Sequence, residues 1–374
     1  VRVLTPLWEE LVTTRTYVTG GIGCNESVPD EPYDLPQTDN RRPGRDVAET
    51  CASVSLMMLG WRMHAISEAS ADFDIIETIL YNHCIGALSP DHCGNFYYNP
   101  LRRVGSLEGR TDHGGDPVRR TRLPAIHSTA CCLPNAWRFF GALPEYVFSA
   151  RPDGLLINLY TTARARHQFQ DGRNVEVHVE TDYPHHGEVR VRIEPQDAPA
   201  EFTLGLRIPA WCENATVAVN DEPPTDARSG GYVELRRAWR AGDVVRLQLP
   251  MRPVVLVSRP EIVANHGQVA FRRGPLVYCL EQQDAPGLDL ERAVVVLDRS
   301  DPAGSVREEW DASIPAHVLR VHAGHRRAVA TQPVSYYPMP PSAPVDVRQV
   351  RLIPFYYRAN REGMTRWLTW IPVE

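Results

Sequence analysis

From Tyr146 onward the chain changes texture, and that change constrains its fold more than any other feature. Apolar and polar residues alternate over short stretches separated by turn residues: Leu155–Leu159, Val175–Glu180, Val189–Ile193, Phe202–Ile208, Ala215–Val219, Tyr232–Leu235 and Val244–Leu249. A period of two sends one set of side chains to a buried face and the other to water. Strands this short, with turns between them, predict an antiparallel β-sandwich. A second β-rich region starts near Arg252, with Val269–Arg272, Leu276–Leu280, Ala293–Leu297 and Gln349–Pro354. Pro338 to Pro344 reads as a proline-rich turn or linker. No internal repeat with a period of roughly 20–50 residues is present.

Before Tyr146 the pattern is helical. A short amphipathic helix is predicted from Pro6 to about Thr16, with Leu7, Leu11 and Val12 on one face. Thr19-Gly20-Gly21-Ile22-Gly23 ends it without the GxGxxG spacing or GK[ST] ending of a phosphate loop. Residues 24–48 form a long loop rich in Pro, Asp, Glu and Arg, of a length usually functional or disordered. Glu49-Thr50-Cys51 opens a helix through Val54, Met57, Met58, Trp61 and Ile66. Another runs from about Asp72 to Leu88 on a stripe of Ile75, Ile76, Ile79, Leu80 and Tyr81. Its Asp72, Asp74 and Glu77 read as helix N-terminal charges. Phe96-Tyr97-Tyr98-Asn99-Pro100-Leu101 reads as a short strand or extended loop, and a last helix ends near Leu143. The expected domains are a helical region over 1–145, a β-sandwich over 146–251 and a second sandwich-like domain over 252–374.

A chain of 374 residues with 43% hydrophobic and 23% charged residues has the composition of an ordinary globular protein. Its net charge of −6, without a basic block, excludes a nucleic-acid footprint. No stretch approaches the ~20 apolar residues of a membrane span, so no membrane partner is expected. No signal peptide is recognisable, and the cytoplasm is the expected compartment. The first residue is Val1 rather than Met, so the native N-terminus is expected upstream. Every Lys+Arg position is Arg, which excludes Schiff-base and P-loop lysine chemistry. The 8 cysteines are too sparse for a disulfide scaffold.

Two of those cysteines are neighbours, Cys131 and Cys132. Their Cα atoms, about 3.8 Å apart, are closer than a disulfide normally allows. Pro134 suits the first turn of a helix, which places both thiols at a helix N-terminus where the dipole favours thiolate. Such a pair is a metal clamp, a nucleophile or both; the bland alternative is two buried small apolar residues. Glu49 and Cys51 supply a second cluster. Two residues apart, they do not share a helical face, but at a loop-to-helix junction they can converge on one point. With Cys131 and Cys132 they make one carboxylate and three thiolates, a donor set that suits tetrahedral zinc. No CxxC knuckle is present. His127, four residues before Cys131, invites a Cys–His dyad, although a histidine there is more often a polar neighbour. His64 and His83 read as hydrogen-bonded packing positions. Cys24, Cys84, Cys93, Cys212 and Cys279 show no partner pattern.

Several motifs occur in a telling order. They are Thr19-Gly20-Gly21-Ile22-Gly23, Tyr33-Asp34-Leu35-Pro36, Glu49-Thr50-Cys51-Ala52-Ser53, Leu80-Tyr81-Asn82, Phe96-Tyr97-Tyr98-Asn99-Pro100-Leu101 and Cys131-Cys132-Leu133-Pro134-Asn135. Leu206-Arg207-Ile208-Pro209-Ala210-Trp211, Arg273-Gly274-Pro275-Leu276-Val277-Tyr278 and Leu352-Ile353-Pro354-Phe355-Tyr356-Tyr357 follow. Together they resemble the zinc-dependent β-L-arabinofuranosidases of glycoside hydrolase family 127, with family 146 as close kin, over nearly the whole chain. The resemblance implies that Glu49, Cys51, Cys131 and Cys132 hold Zn²⁺ and that Cys131 is the nucleophile of a retaining hydrolase. It implies a glutamate acid/base between the glycine motif and the Leu-Pro motif. Glu26 and Glu31 both compete for that role, with Glu26-Ser27-Val28 the closer match. Tyr97 matches a tyrosine lining the sugar site, and an ordinary core aromatic is the alternative.

The family's catalytic domain is a barrel of helical hairpins needing about 200 residues or more. The fold expected here is therefore a partial (α/α)6-barrel-type helical region followed by two β-sandwich domains, as the C-terminal part of a longer protein. The expected substrate is a carbohydrate ending in β-L-arabinofuranose or a similar furanosidic sugar. A homodimer through the C-terminal β domain is a further expectation. The alternative is a non-catalytic fragment, stapled by zinc, that binds carbohydrate or dimerises.

Overall fold

The computed structural model describes residues 2–23, 31–37, 47–104, 123–124, 131–196, 200–326, 344–361 and 366–374. The chain is mostly β, with a few helices. These include α1 (Leu4–Thr14), α2 (Thr50–Ser67), α3 (Ser70–Thr78) and α4 (Cys132–Ala142). α3 runs into a π-helical stretch, Ile79–Cys84, so the single helix expected from Asp72 to Leu88 changes its winding midway. Among the described residues no helix is long and apolar enough to cross a membrane.

The residues gather into two compact units. One comprises Val1–Glu9, Val54–Tyr81 and Leu133–Arg252. Its strands are β1 (Phe148–Arg151), β2 (Gly154–Ile157), β3 (Ala163–Gln168), β4 (Asn174–Thr181) and β5 (Glu188–Pro195). They continue with β6 (Ala200–Ile208), β7 (Ala215–Val219), β8 (Thr225–Ala227), β9 (Gly231–Trp239) and β10 (Asp243–Gln248). One sheet runs β8-β7-β10-β5-β4-β3 and the other β9-β6-β2-β1. The alternation read from the sequence is the reason: Val189, Val191 and Ile193 of β5 are buried, while Glu188 and Arg190 are exposed and Arg192 is half-buried.

The expected all-antiparallel sandwich needs one correction. β2 and β6 pair in parallel, Leu155 opposite Leu204. Three strands of the other sheet intervene between them, so the chain returns running the same way. β3, absent from the sequence reading, is Ala-Arg-Ala-Arg-His-Gln at the edge of its sheet, where no large apolar residue is required.

Asp72 stands in the first turn of α3 as expected, but Asp74 and Glu77 lie further along the helix and meet a buried cation. Arg207 of β6 is fully buried and donates to Asp74 Oδ1 at 2.6 Å, to Glu77 Oε1 and to the Asn158 carbonyl at 2.5 Å. Glu77 also accepts from the Tyr183 hydroxyl at 2.7 Å and the Trp211 indole at 2.9 Å. Burial pushes the Asp74 carboxyl up, with Arg207 opposing. Asp72 is buried too and accepts the Trp8 indole N–H at 2.7 Å. His64 is buried and makes a 3.1 Å contact through Nδ1 with the Ala69 carbonyl, in line with a packing role.

The other unit comprises Glu10–Ser53, Asn82–Cys132 and Pro253–Glu374. Its strands are β11 (Pro253–Leu256), β12 (Gln268–Arg273), β13 (Leu276–Glu281), β14 (Ala293–Val296), β15 (Arg307–Asp311), β16 (Ala316–His325) and β17 (Val345–Pro354). The sheet path is β11-β12-β13-β17-β16-β14, with β15 on β16. Arg102–Arg103 joins this sheet through Trp367–Leu368, which pairs with β13. Leu35, Val47, Ala48 and Leu101 share a core with Val277, Ile353, Phe355 and Trp370. Asn82 bridges the β12–β13 turn, its amide donating to the Pro275 carbonyl at 2.8 Å and accepting from the Val277 N–H at 2.7 Å. Most of Pro338–Pro344 lies outside the described residues.

The Arg207 network generates a stability prediction. Arg207→Met leaves the buried Glu77 and the half-buried Asp74 carboxylates without their cation and is expected to cost about 3–5 kcal/mol. Adding Glu77→Gln to that variant should recover part of the loss, because the uncompensated charge is then gone. Denaturant unfolding followed by tryptophan fluorescence reads both. An Arg207→Met protein as stable as the parent would contradict this account.

Candidate functional site

The four residues singled out from the sequence come together. One ligand atom from each of Glu49, Cys51, Cys131 and Cys132 lies within 4.8 Å of the others. Two junctions achieve this. Glu49 forms an isolated antiparallel bridge with Tyr98, and Thr50 then opens α2. The Thr50 N–H donates to the Tyr97 carbonyl at 3.0 Å, and Ser53 Oγ turns back to the Glu49 carbonyl at 3.0 Å. Cys132 is the first residue of α4, and Cys131 stands just before it. A helix start is where chain direction changes most sharply, so side chains two residues apart, or adjacent, can face one point.

The sulfurs are spaced for shared coordination, not for disulfides. Cys51 Sγ lies 3.4 Å from Cys132 Sγ, and Cys131 Sγ 3.9 Å from Cys132 Sγ. A disulfide needs about 2.05 Å, and all three cysteines are free. Two thiolates bound about 2.3 Å from one tetrahedral ion stand roughly 3.8 Å apart. The donor set therefore fits a metal ion. Burial, then the Cys51 thiol, push the Cys131 thiol up, and the Glu49 carboxylate adds to that shift. Cys132 is raised as well, with Cys51 the first cause and burial the second. The thiolate stabilisation expected from the helix N-terminus is outweighed by burial and by crowding among the thiols, which a dication would oppose.

The sulfurs differ in access. Cys132 is buried, packed against Tyr97 with Cys51 and Tyr98 at the edge of the contact, whereas Cys131 is exposed. Two buried apolar cysteines, the bland reading, do not describe this pair. Tyr97 is itself buried, its ring 4.7 Å from that of Tyr98 in an edge-on arrangement. Glu31 is exposed in the turn preceding Tyr33 and is not a member of the four-residue cluster. Glu26, His127 and Cys24 lie outside the described residues. Cys84, Cys212 and Cys279 are buried and free, and Cys93 is exposed and free.

Sequence reasoning missed the residues that fix the backbone around Glu49 and Cys51. Thr50 Oγ1 donates to the Phe96 carbonyl at 2.7 Å. Asn99 is fully buried, and its side chain reaches the Ala48 carbonyl at 3.2 Å and Thr50 Oγ1 at 3.0 Å. The available signal was a polar amide closing an aromatic run just before Pro100.

Comparison with known proteins places this geometry. Residues 1–145 match the family model for the catalytic domain of β-L-arabinofuranosidase, glycoside hydrolase family 127. Residues 154–251 match the middle domain of that family, and residues 253–372 its C-terminal domain. The chain is 28% identical over 361 residues to a non-reducing end β-L-arabinofuranosidase of Bifidobacterium longum subsp. longum, across 95% of this chain and 53% of the relative. It is similar in structure to a family 127 β-L-arabinofuranosidase from Geobacillus stearothermophilus T6, with a TM-score of 0.84 and 32% identity over 100% of this chain and 56% of that one. A solved structure described as a glycoside hydrolase has a TM-score of 0.85 at 28% identity, covering 99% of this chain and 61% of its own. The chain thus spans about half the length of the curated relative it matches. Three successive models of one family, running from residue 1 to residue 372, establish that the chain belongs to glycoside hydrolase family 127, the β-L-arabinofuranosidase family.

Proposed function

We propose that this chain carries the nucleophile and the metal centre of a retaining glycoside hydrolase that releases β-L-arabinofuranose, or a similar furanosidic sugar, from glycan ends. The observation that carries the proposal is the Glu49–Cys51–Cys131–Cys132 cluster with one of its cysteines, Cys131, exposed. A zinc site that only staples a fold is closed on all sides, whereas a catalytic one keeps an open approach. The exposed Cys131 favours the enzyme over the structural fragment. In this reading α1 to α4 contribute part of an α/α barrel.

Glu49, Cys51, Cys131 and Cys132 would hold the metal, and zinc is the ion their mostly sulfur donor set suits. When bound, zinc keeps cysteine ligands deprotonated near neutral pH. Cys131 Sγ attacks the anomeric carbon; a C–S bond forms as the C–O bond to the leaving group breaks. A glutamic acid protonates the departing oxygen, then as carboxylate takes a proton from the water that displaces the sulfur. Two inversions return the original configuration. Glu26 is the first candidate for this acid/base and Glu31 the second. Tyr97, packed on Cys132, is proposed to line the sugar site. The other two thiols and Glu49 position the attacking sulfur.

Three measurements test this reading on the full-length protein. Cys131→Ala should lower hydrolysis of an aryl β-L-arabinofuranoside more than ~10³-fold, and retained activity would refute the nucleophile assignment. Elemental analysis should give one zinc per chain, with the metal lost in Cys51→Ser and Cys132→Ser. A zinc-free, active protein contradicts the metal assignment. For the acid/base, Glu26→Gln should depress hydrolysis of a poor leaving group far more than that of an activated aryl glycoside, while Glu31→Gln changes both little. The reverse pattern transfers the role to Glu31.

A further inference from the structure

The segment carrying Glu49 and Cys51 is held in an unfavourable backbone conformation. Ala48 has φ +58°, a left-handed geometry that a residue with a Cβ keeps only when its surroundings impose it. Asn99 supplies much of that imposition. Its backbone N–H is shared between the Val47 and Ala48 carbonyls, each at 3.1 Å. Its side-chain amide grips the Ala48 carbonyl and Thr50 Oγ1. One residue thus holds the neighbours on both sides of Glu49, and the second of them immediately precedes Cys51.

What fixes that amide is Arg358, at the end of the 3-10 turn Phe355–Tyr357 that follows β17. Arg358 is fully buried and donates through Nη2 to Asn99 Oδ1. Its Nη1 reaches the Phe355 carbonyl at 3.2 Å and the Gly86 carbonyl at 3.3 Å. Its guanidinium carbon lies 3.8 Å from the Phe355 ring centre and 5.0 Å from that of Phe96. A guanidinium has donors and no acceptor, so Asn99 must turn its oxygen toward it and its NH₂ toward Ala48, Thr50 and, at 3.2 Å, His83 Nε2. His83 is fully buried, and burial with the Arg358 charge beside it lowers its pKa to about 3, leaving a neutral ring. A Cβ on Gly21 would come within 2.6 Å of His83 Nδ1, so the glycine motif is what lets the ring sit there.

We propose that Arg358 and Asn99 are positioning residues for the metal centre: the guanidinium orients the Asn99 amide, and the amide sets where Glu49 and Cys51 stand. The proposal rests on the reading of Glu49, Cys51, Cys131 and Cys132 as metal ligands. A purely structural role predicts lost stability only; a positioning role predicts altered metal affinity in a folded protein.

The decisive variant is Asn99→Asp, which keeps a partner for Arg358 and the backbone N–H but has no side-chain N–H for Ala48 or Thr50. Affinity for Zn²⁺ and Co²⁺ is read by competition with a chromophoric chelator, and the sulfur-to-cobalt absorption band reports ligand geometry. Circular dichroism of the metal-free protein checks the fold. Asn99→Asp and Arg358→Met are expected to weaken metal binding about 10–100-fold and to shift the cobalt band. Arg207→Met, a destabilised control in the other compact unit, should bind as the parent does. Should Arg358→Met fail to fold, Asn99→Asp carries the test. Folded Asn99→Asp with parental affinity and spectrum overturns the positioning role alone. A parent protein that binds neither metal overturns the ligand assignment and this proposal with it.

Discussion

Three sulfurs and a carboxylate within 4.8 Å of one another are an arrangement a folded chain does not reach by hydrophobic collapse. Burial and then the Cys51 thiol make Cys131 harder to ionise, and the Cys51 thiol and then burial do the same to Cys132. Such a cluster persists only where the backbone around it is fixed by other means. The described structure supplies those means on one side in the Asn99 contacts and the Glu49–Tyr98 bridge, and on the other in the start of α4. A cluster held together before any ion arrives loses little further conformational freedom on binding one. This is the energetic advantage of a preformed site.

The dispersed motifs have a common physical explanation in this dependence. Asn82 closes the Gly274-Pro275 turn, Trp367 donates its indole N–H to the Pro100 carbonyl at 2.9 Å, and Arg358 reaches Asn99. Each contact joins a residue from the first 104 positions to one beyond position 250, inside one compact unit. The C-terminal β region therefore acts as the back wall of the segment that presents Glu49 and Cys51. Leu206-Arg207 and Trp211 answer Asp74 and Glu77 in the same manner within the other unit. Residues far apart in sequence are tied by buried polar groups, which are costly to leave unmatched.

This also explains how much could be read beforehand. Alternation located most strands of the sandwich, because β4, β5 and β7 each bury one face with Val or Ile. Among those it missed are β3 and β15, whose residues are largely polar or charged, since an edge or exposed strand needs no apolar stripe; it also missed β16, although that strand buries Val318, Leu319 and Val321. It could not give the parallel β2–β6 pair, which follows from connection and not from local pattern. The four clustered residues were legible from residue type. Spacing alone left their convergence open and the family resemblance supplied it, because it depends on two helix starts approaching each other across 81 positions of sequence between Cys51 and Cys132. Asp74 and Glu77 were misread for a related reason: a carboxylate near a helix start looks the same in sequence whether it meets water or a buried arginine.

The contrast between the adjacent sulfurs bears on chemistry. Cys132 is enclosed by Tyr97 and fixed as the first residue of α4, while Cys131, outside the helix, is exposed. A buried sulfur on a helix has few directions available and suits a fixed ligand. An exposed one, on the residue before the helix, can approach a second atom without breaking helix hydrogen bonds. Adjacency then becomes useful: the two sulfurs share one backbone anchor, so the geometry of the held sulfur is transmitted directly to the free one. For a nucleophile, a displacement of about 1 Å can change the rate by two orders of magnitude. Under the proposed role of Cys131 as nucleophile, the held Cys132 is thus as much a part of its environment as any group that would touch the sugar.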